Sequence, residues 1–146
     1  MVLMKKNELK RLITKIFIKH KLSKNHANIC AEALVNAELV GASSHGLSRL
    51  KMYCDRINKK VINPKPKIKI KKISQSITQI DAKNSIGFVA ADLAIKKAIE
   101  SAKKTGIGLV GIKNSGHYGL SGYYVEQAVK KNLIAFAFTN APPAIA

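Results

Sequence analysis

Residues 104–122 read KTGIGLVGIKNSGHYGLSG, and the order of structure within that stretch decides the fold. The apolar run Ile107 to Ile112 is bounded by Gly106 on one side and a glycine-rich loop on the other, the pattern of a short buried strand. Upstream, from about Ser85 to Lys104, Ile86, Val89, Ala90, Leu93 and Ala98 recur at helical spacing, and Gly106 suits the helix C-terminus. Downstream, a helix from about Leu120 to Lys131 leads to a second apolar run, Leu133 to Phe138. Strand, helix and strand in that order predict a βαβ unit whose parallel strands are buried on both faces, and therefore an α/β fold. Gly106, Gly108 and Gly111 also spell a literal G-x-G-x-x-G. A phosphate cradle, however, needs a strand before the glycines and a helix after them, so that a helix N-terminus meets the pyrophosphate. Here the order is reversed, and the glycines read as a helix cap and a site of close strand packing.

Toward the N-terminus the pattern turns helical. Leu9, Leu12, Ile13, Ile16 and Phe17 form one apolar side of a helix over Lys5 to His20. Ser23 is a candidate N-cap for a second helix running through Ile29, Leu34, Val35 and Leu39 to Gly41. A third is expected to begin at Ser43 or Ser44 and continue through Leu47, Leu50 and Ile57. Asn63-Pro64-Lys65-Pro66 ends the helical run, because proline restricts both itself and its predecessor. Ile68 and Ile70 then alternate with lysines, and Ile73, Ile77 and Ile80 follow as strand signals. The division is thus a helical lobe over residues 1–62 and a mixed α/β unit over residues 63–146. The final Ala144-Ile145-Ala146 carries no turn signal or polar tail, which suggests a fragment of something longer.

With 146 residues, 47% of them hydrophobic, the chain is globular in character. No window approaches the ~20 apolar residues of a membrane span and no signal peptide is legible, so a soluble cytoplasmic protein is expected. Cys30 and Cys54 are not in a Cys-x-x-Cys pair, and His26 with Cys30 is too few groups for a metal site, so none is expected. The net charge of +18 raises a rival reading, a non-catalytic basic module binding nucleic acid or another acidic surface. Composition weighs against it: of 26 basic residues only Arg11, Arg49 and Arg56 are arginine, and base recognition favours arginine with interleaved aromatics. Nucleic acid is therefore not the expected partner.

Two constellations can carry chemistry. In Ser44-His45-Gly46-Leu47-Ser48-Arg49, His45 and Arg49 are four apart, and on a helix that spacing would let an imidazole and a guanidinium converge on one small anion. Spacing alone does not separate this from a histidine near a helix start and a solvated arginine. In Asn114-Ser115-Gly116-His117-Tyr118-Gly119-Leu120-Ser121-Gly122, His117 sits in the loop after a strand, and Asn140, after the next apolar run, would share that sheet edge if the strands are parallel. Ligands in open α/β sheets bind at that edge, although a loop histidine can also be purely structural.

Ala37-Glu38-Leu39-Val40-Gly41-Ala42-Ser43-Ser44-His45-Gly46, Arg49, Asn114 to Gly122 and Thr139 to Ala146 together resemble the malate/L-lactate dehydrogenase family. The family includes sulfolactate, ureidoglycolate and diketogulonate oxidoreductases and cyclic-imine reductases. The resemblance implies a helical lobe beside a nucleotide-binding α/β domain unlike the Rossmann fold, a homodimer, NAD or NADP as cofactor, and a small 2-hydroxy or 2-oxo acid substrate. It further implies a chain about twice this length, with the remaining nucleotide contacts beyond Ala146. His117 corresponds to the histidine assigned as proton acceptor in some members, and His45 to a proton donor or substrate ligand beside Ser44. Arg49 corresponds to the carboxylate-binding arginine, and Ser121 lies where a cofactor contact is found. Asn140 is the second candidate cofactor contact.

Overall fold

The computed structural model describes residues 4–140. Helix α1 (Lys6–Lys19) packs against α2 (Lys24–Leu39), whose first turn is closed by the Ser23 hydroxyl accepting from the His26 N–H at 3.2 Å. Helix α3 (Leu50–Asn58) follows, then strands β1 (Lys69–Lys72) and β2 (Ile77–Ser85), helix α4 (Gly87–Thr105), strand β3 (Leu109–Ser115) and helix α5 (Gly122–Val129). The described sheet has the order β1-β2-β3, with β1 antiparallel and β3 parallel to β2. In β2, Thr78, Ile80 and Ala82 are buried and alternate with more exposed residues, while α4 packs on both β2 and β3.

The core is continuous across the Asn63–Pro66 stretch. Ile13, Phe17, Leu34 and Tyr53 from the helices join Phe88 and Val89 of α4 in one cluster. Fully buried side chains of this size each contribute roughly 1.5–3 kcal/mol of transfer free energy. The small residues Ala27, Cys30 and Ala31 on the buried side of α2 let neighbouring elements approach it closely.

Three expectations need correction. The helix foreseen from Ser43 is not continuous: Ser43–His45 and Leu47–Arg49 are separate 3₁₀ turns with Gly46 between them, and α3 begins only at Leu50. The expected shared helix face for His45 and Arg49 therefore does not exist. Next, Leu133 to Phe138 forms no strand; Ile134, Phe136 and Phe138 are 88%, 79% and 90% exposed. A strand needs a ladder partner, and among the described residues none pairs with this run. The parallel pair is instead β2 and β3, joined through α4, so the βαβ unit lies one step earlier in the chain. Finally, β3 runs two residues later than expected and through Ser115, and it is open rather than buried, with Leu109 and Ile112 exposed.

The glycine reading holds for the helix cap and for close packing at Gly108, while Gly111 faces open space. Gly106 caps α4 at φ +81°, in the left-handed region that glycine enters without steric cost, and a Cβ on Gly108 would overlap the Ala98 carbonyl of α4.

Candidate active site

Both constellations meet at the carboxyl ends of the parallel strands. The last residues of the ladder, Ser85 and Ser115, are in register, and each strand then feeds a segment that turns over the sheet edge. From β2 the chain enters α4 at Gly87; from β3 it enters the loop carrying His117. The two are tightly apposed, since a Cβ on Gly87 would overlap the carbonyls of Gly116 and His117, and one on Gly119 (φ +79°) would overlap the Phe88 ring.

This places His117 against the Ser43–His45 turn and α3. Its ring lies 5.7 Å, centroid to centroid, from that of His45 in a stacked arrangement, and 6.0 Å from that of Tyr53. The Tyr53 hydroxyl is 2.7 Å from His117 Nδ1, and the Gly119 N–H donates to the same nitrogen at 3.2 Å. A backbone N–H can only donate, so with both contacts made Nδ1 is an acceptor and the neutral ring carries its proton on Nε2. Burial pushes the His117 pKa below its ordinary value, and the positive charges possible at His45, Arg49 and Arg56 push the same way. Burial likewise raises the Tyr53 hydroxyl well above the usual phenol range, so it stays protonated and can turn to accept from Nδ1–H when the ring changes tautomer. In the first tautomer Nε2–H can give a proton; in the second, with Nδ1–H donating to Tyr53 and the Gly119 bond released, Nε2 can take one.

The His45 side of the site hangs on Ser44. The Ser44 hydroxyl is 3.0 Å from His45 Nδ1, and the Ser44 carbonyl accepts from Arg49 Nε at 2.7 Å. His45 and Arg49 are thus tied through the backbone of one residue rather than by helical periodicity. Among the described residues no carboxylate pairs with Arg49. With Nε engaged, its two terminal nitrogens form the fork suited to an external carboxylate.

The remaining candidates lie apart from this cluster. Ser121 is exposed at the N-cap of α5, where its carbonyl accepts from Tyr124 and Val125 N–H. Asn140 is exposed, and no hydrogen bond joins it to either turn; the parallel strand that would have carried it to the sheet edge is not formed. Residues 141–146 of the quoted resemblance lie outside the described residues. Tyr118 and Tyr124 pack on each other, with the Tyr124 hydroxyl donating to the Tyr118 carbonyl at 2.8 Å, as packing residues would.

Sequence reasoning missed Tyr53 and the structural part of Glu38. Tyr53 stands four residues beyond Arg49, and a tyrosine on the buried side of α3 was the available signal. Glu38 accepts from the Leu47 N–H at 2.6 Å and from the Ser43 hydroxyl at 3.2 Å, spanning the turn that carries His45.

The depressed His117 pKa has a sign that can be checked. Above pH ~6.5 the ring is neutral in both folded and unfolded chains; below it the unfolded chain gains a proton that the folded one resists, so stability falls as the pH drops. His26, lowered by burial, acts in the same direction. The urea midpoint is expected to decline as the pH is taken from ~7.5 to ~5.5, and the double variant His26→Asn, His117→Asn should flatten that slope. An equally steep slope in the double variant would remove these histidines as its cause.

The chain belongs to the malate/L-lactate dehydrogenase family, whose model matches residues 4–146. It is 40% identical over 139 residues to the malate/(S)-sulfolactate dehydrogenase of Methanothermus fervidus, covering 95% of this chain and 41% of that protein. It is 38% identical over 146 residues to the L-sulfolactate dehydrogenase of Methanocaldococcus jannaschii, covering 100% and 42%. The malate dehydrogenase structure from Pyrococcus horikoshii OT3 matches with a TM-score of 0.86 at 38% identity, over 89% of this chain and 37% of that one. The chain thus spans about two fifths of the length of these relatives. Other relatives carry NAD(+) or NADP(+) in their names.

Proposed function

We propose that the protein carrying this chain is an oxidoreductase that moves a hydride between NAD or NADP and a small 2-hydroxy acid of the malate, lactate, sulfolactate or ureidoglycolate type, or the matching 2-oxo acid. The observation that carries this reading is the meeting of the His45 turn and the His117 loop, rings 5.7 Å apart, at the edge where the parallel strands end. Oxidising a secondary alcohol needs a group to take the hydroxyl proton and another to hold the carboxylate still. His117 takes the proton at Nε2 in the tautomer whose Nδ1–H donates to the Tyr53 hydroxyl, and returns it from the same nitrogen. His45, oriented by Ser44, binds the substrate oxygen or shares the proton. The terminal nitrogens of Arg49 hold the α-carboxylate.

The bound dinucleotide supplies the hydride acceptor or donor. The loop fits its approach: Gly116 and Gly122 face open space, so a flat ring can come close to the backbone there, and Ser121 and Asn140 are exposed candidates to contact it. We read residues 1–62 as the helical lobe and 63–146 as the opening part of the nucleotide- and substrate-binding unit. Among the described residues no helix is long and apolar enough to cross a membrane. We place the protein in the cytoplasm as a homodimer, a reading supported by its family resemblance.

The test is nicotinamide reduction by the full-length protein with malate, lactate, sulfolactate and ureidoglycolate, each offered with NAD and with NADP. Turnover of at least one pair is expected, with no turnover by residues 1–146 alone. A folded full-length protein that oxidises none of them and reduces none of the 2-oxo acids would overturn the reading.

A further inference from the structure

We infer that Glu38 is a positioning residue for both His45 and Arg49, an inference that rests on the dehydrogenase reading for its effect on turnover. Glu38 lies in the last turn of α2, where the partial negative charge of the helix C-terminus disfavours a carboxylate. Its presence there does not serve the helix. The carboxylate instead reaches across the following turn and takes hold of it at two places. Oε1 accepts from the Leu47 N–H at 2.6 Å, a short charge-assisted bond, and Oε2 accepts from the Ser43 hydroxyl at 3.2 Å. Between these two points lie Ser44, His45 and Gly46.

The Glu38 side chain fits closely against the turn. Gly46 is buried against the Glu38 side chain, and a Cβ there would overlap the carboxylate and the carbon that bears it. Ser43 is fixed from a second side, its carbonyl accepting from the Ser48 hydroxyl at 2.6 Å. With Ser43 and Leu47 held, the intervening Ser44 is held too, and Ser44 is the residue that contacts His45 Nδ1 with its hydroxyl and Arg49 Nε with its carbonyl. Glu38 therefore sets the separation and orientation of an imidazole and a guanidinium that no common helix face would bring together. It touches neither substrate nor cofactor in this account; its action passes through the turn.

The test uses the full-length protein. Glu38→Ala is expected to raise KM for the hydroxy acid about 10-fold or more and to lower kcat about 10-fold, with KM for the dinucleotide within about 2-fold of wild type. Glu38→Gln keeps an acceptor for the Leu47 N–H and should stay within about 3-fold of wild type on both parameters. Gly46→Ala leaves the carboxylate in the chain but displaces it, and should reproduce the KM effect of Glu38→Ala even where that variant folds poorly. Wild-type KM and kcat in Glu38→Ala or in Gly46→Ala, or a Gln variant as impaired as the Ala variant, would overturn the inference. Failure of the dehydrogenase reading is separable. If wild type turns over no hydroxy acid, the Leu47 amide exchange rate and the His45 ring resonances still decide: both should change in Glu38→Ala, and their constancy would overturn the positioning role.

Discussion

Replacing His117 by Asn in the full-length protein is expected to lower kcat roughly 100-fold or more while leaving dinucleotide affinity nearly unchanged. Asparagine preserves a polar side chain that the Gly119 N–H and the Tyr53 hydroxyl can still address, so the loop need not collapse; what disappears is a group able to exchange a proton at the Nε2 position. The acid limb of the kcat/KM profile should lie below the ordinary histidine range in wild type, because burial and the neighbouring cationic groups depress the pKa, and that limb should vanish in the variant. His20→Asn is the control: its ring contacts Asn58 at 3.0 Å, at the C-terminal ends of α1 and α3, and kcat should not change. A His117→Asn enzyme with wild-type kcat and pH profile would make His117 a structural loop residue and pass the proton role to His45.

Arg49→Lys is expected to raise KM for the hydroxy acid by about 1.5–3 kcal/mol, roughly 10- to 150-fold, with nicotinamide binding unchanged. Arg49 holds the Ser44 carbonyl through Nε, and on the proposed assignment its terminal nitrogens hold the substrate carboxylate. A lysine ammonium is one compact head and cannot reproduce both at once. Arg11→Lys, at an exposed position of α1, is the suitable comparison and should be nearly neutral. Arg56 is less suitable, because its charge acts on His117. An Arg49→Lys enzyme that behaves like Arg11→Lys on every accepted substrate would rule out the carboxylate assignment.

Much of the architecture was legible because it follows from local rules. The Ser23 cap, the apolar sides of α1 and α4 and the Gly106 terminus are each determined within a few residues, and the structure has them in place. The reversed context of the three glycines was equally local. What the sequence obscured depends on partners distant along the chain. Leu133 to Phe138 has the composition of a strand, but strand formation depends on a neighbour's hydrogen-bonding edge. His45 and Arg49 were selected for a spacing that implied a helix, yet the turn around them is dictated by Glu38 from the preceding element. Tyr53 escaped notice because its meaning lies 64 residues away, at His117.

The end of β2 carries a further implication. Between Asp81 and Ser85 the register with β3 shifts, and Lys83 and Asn84 adopt φ of +52° and +58°. Asp81 anchors the irregularity, accepting from the Lys83 N–H at 3.1 Å and from Asn114 Nδ2 at 2.9 Å, while the Asn84 carbonyl accepts from the Asn63 N–H at 2.8 Å. Strand residues repeat every two and helix residues every 3.6, so the junction acts as a phase adjuster between two rhythms. It determines which flank of α4 turns inward. Removing one residue from it would advance the helix by about 100° of rotation, swinging Phe88 and Val89 out of the core and Gly87 away from the His117 loop. Insertions and deletions at this junction should therefore be far less tolerated than in the Asn63–Pro66 stretch, which joins α3 to the sheet without setting the phase of a helix.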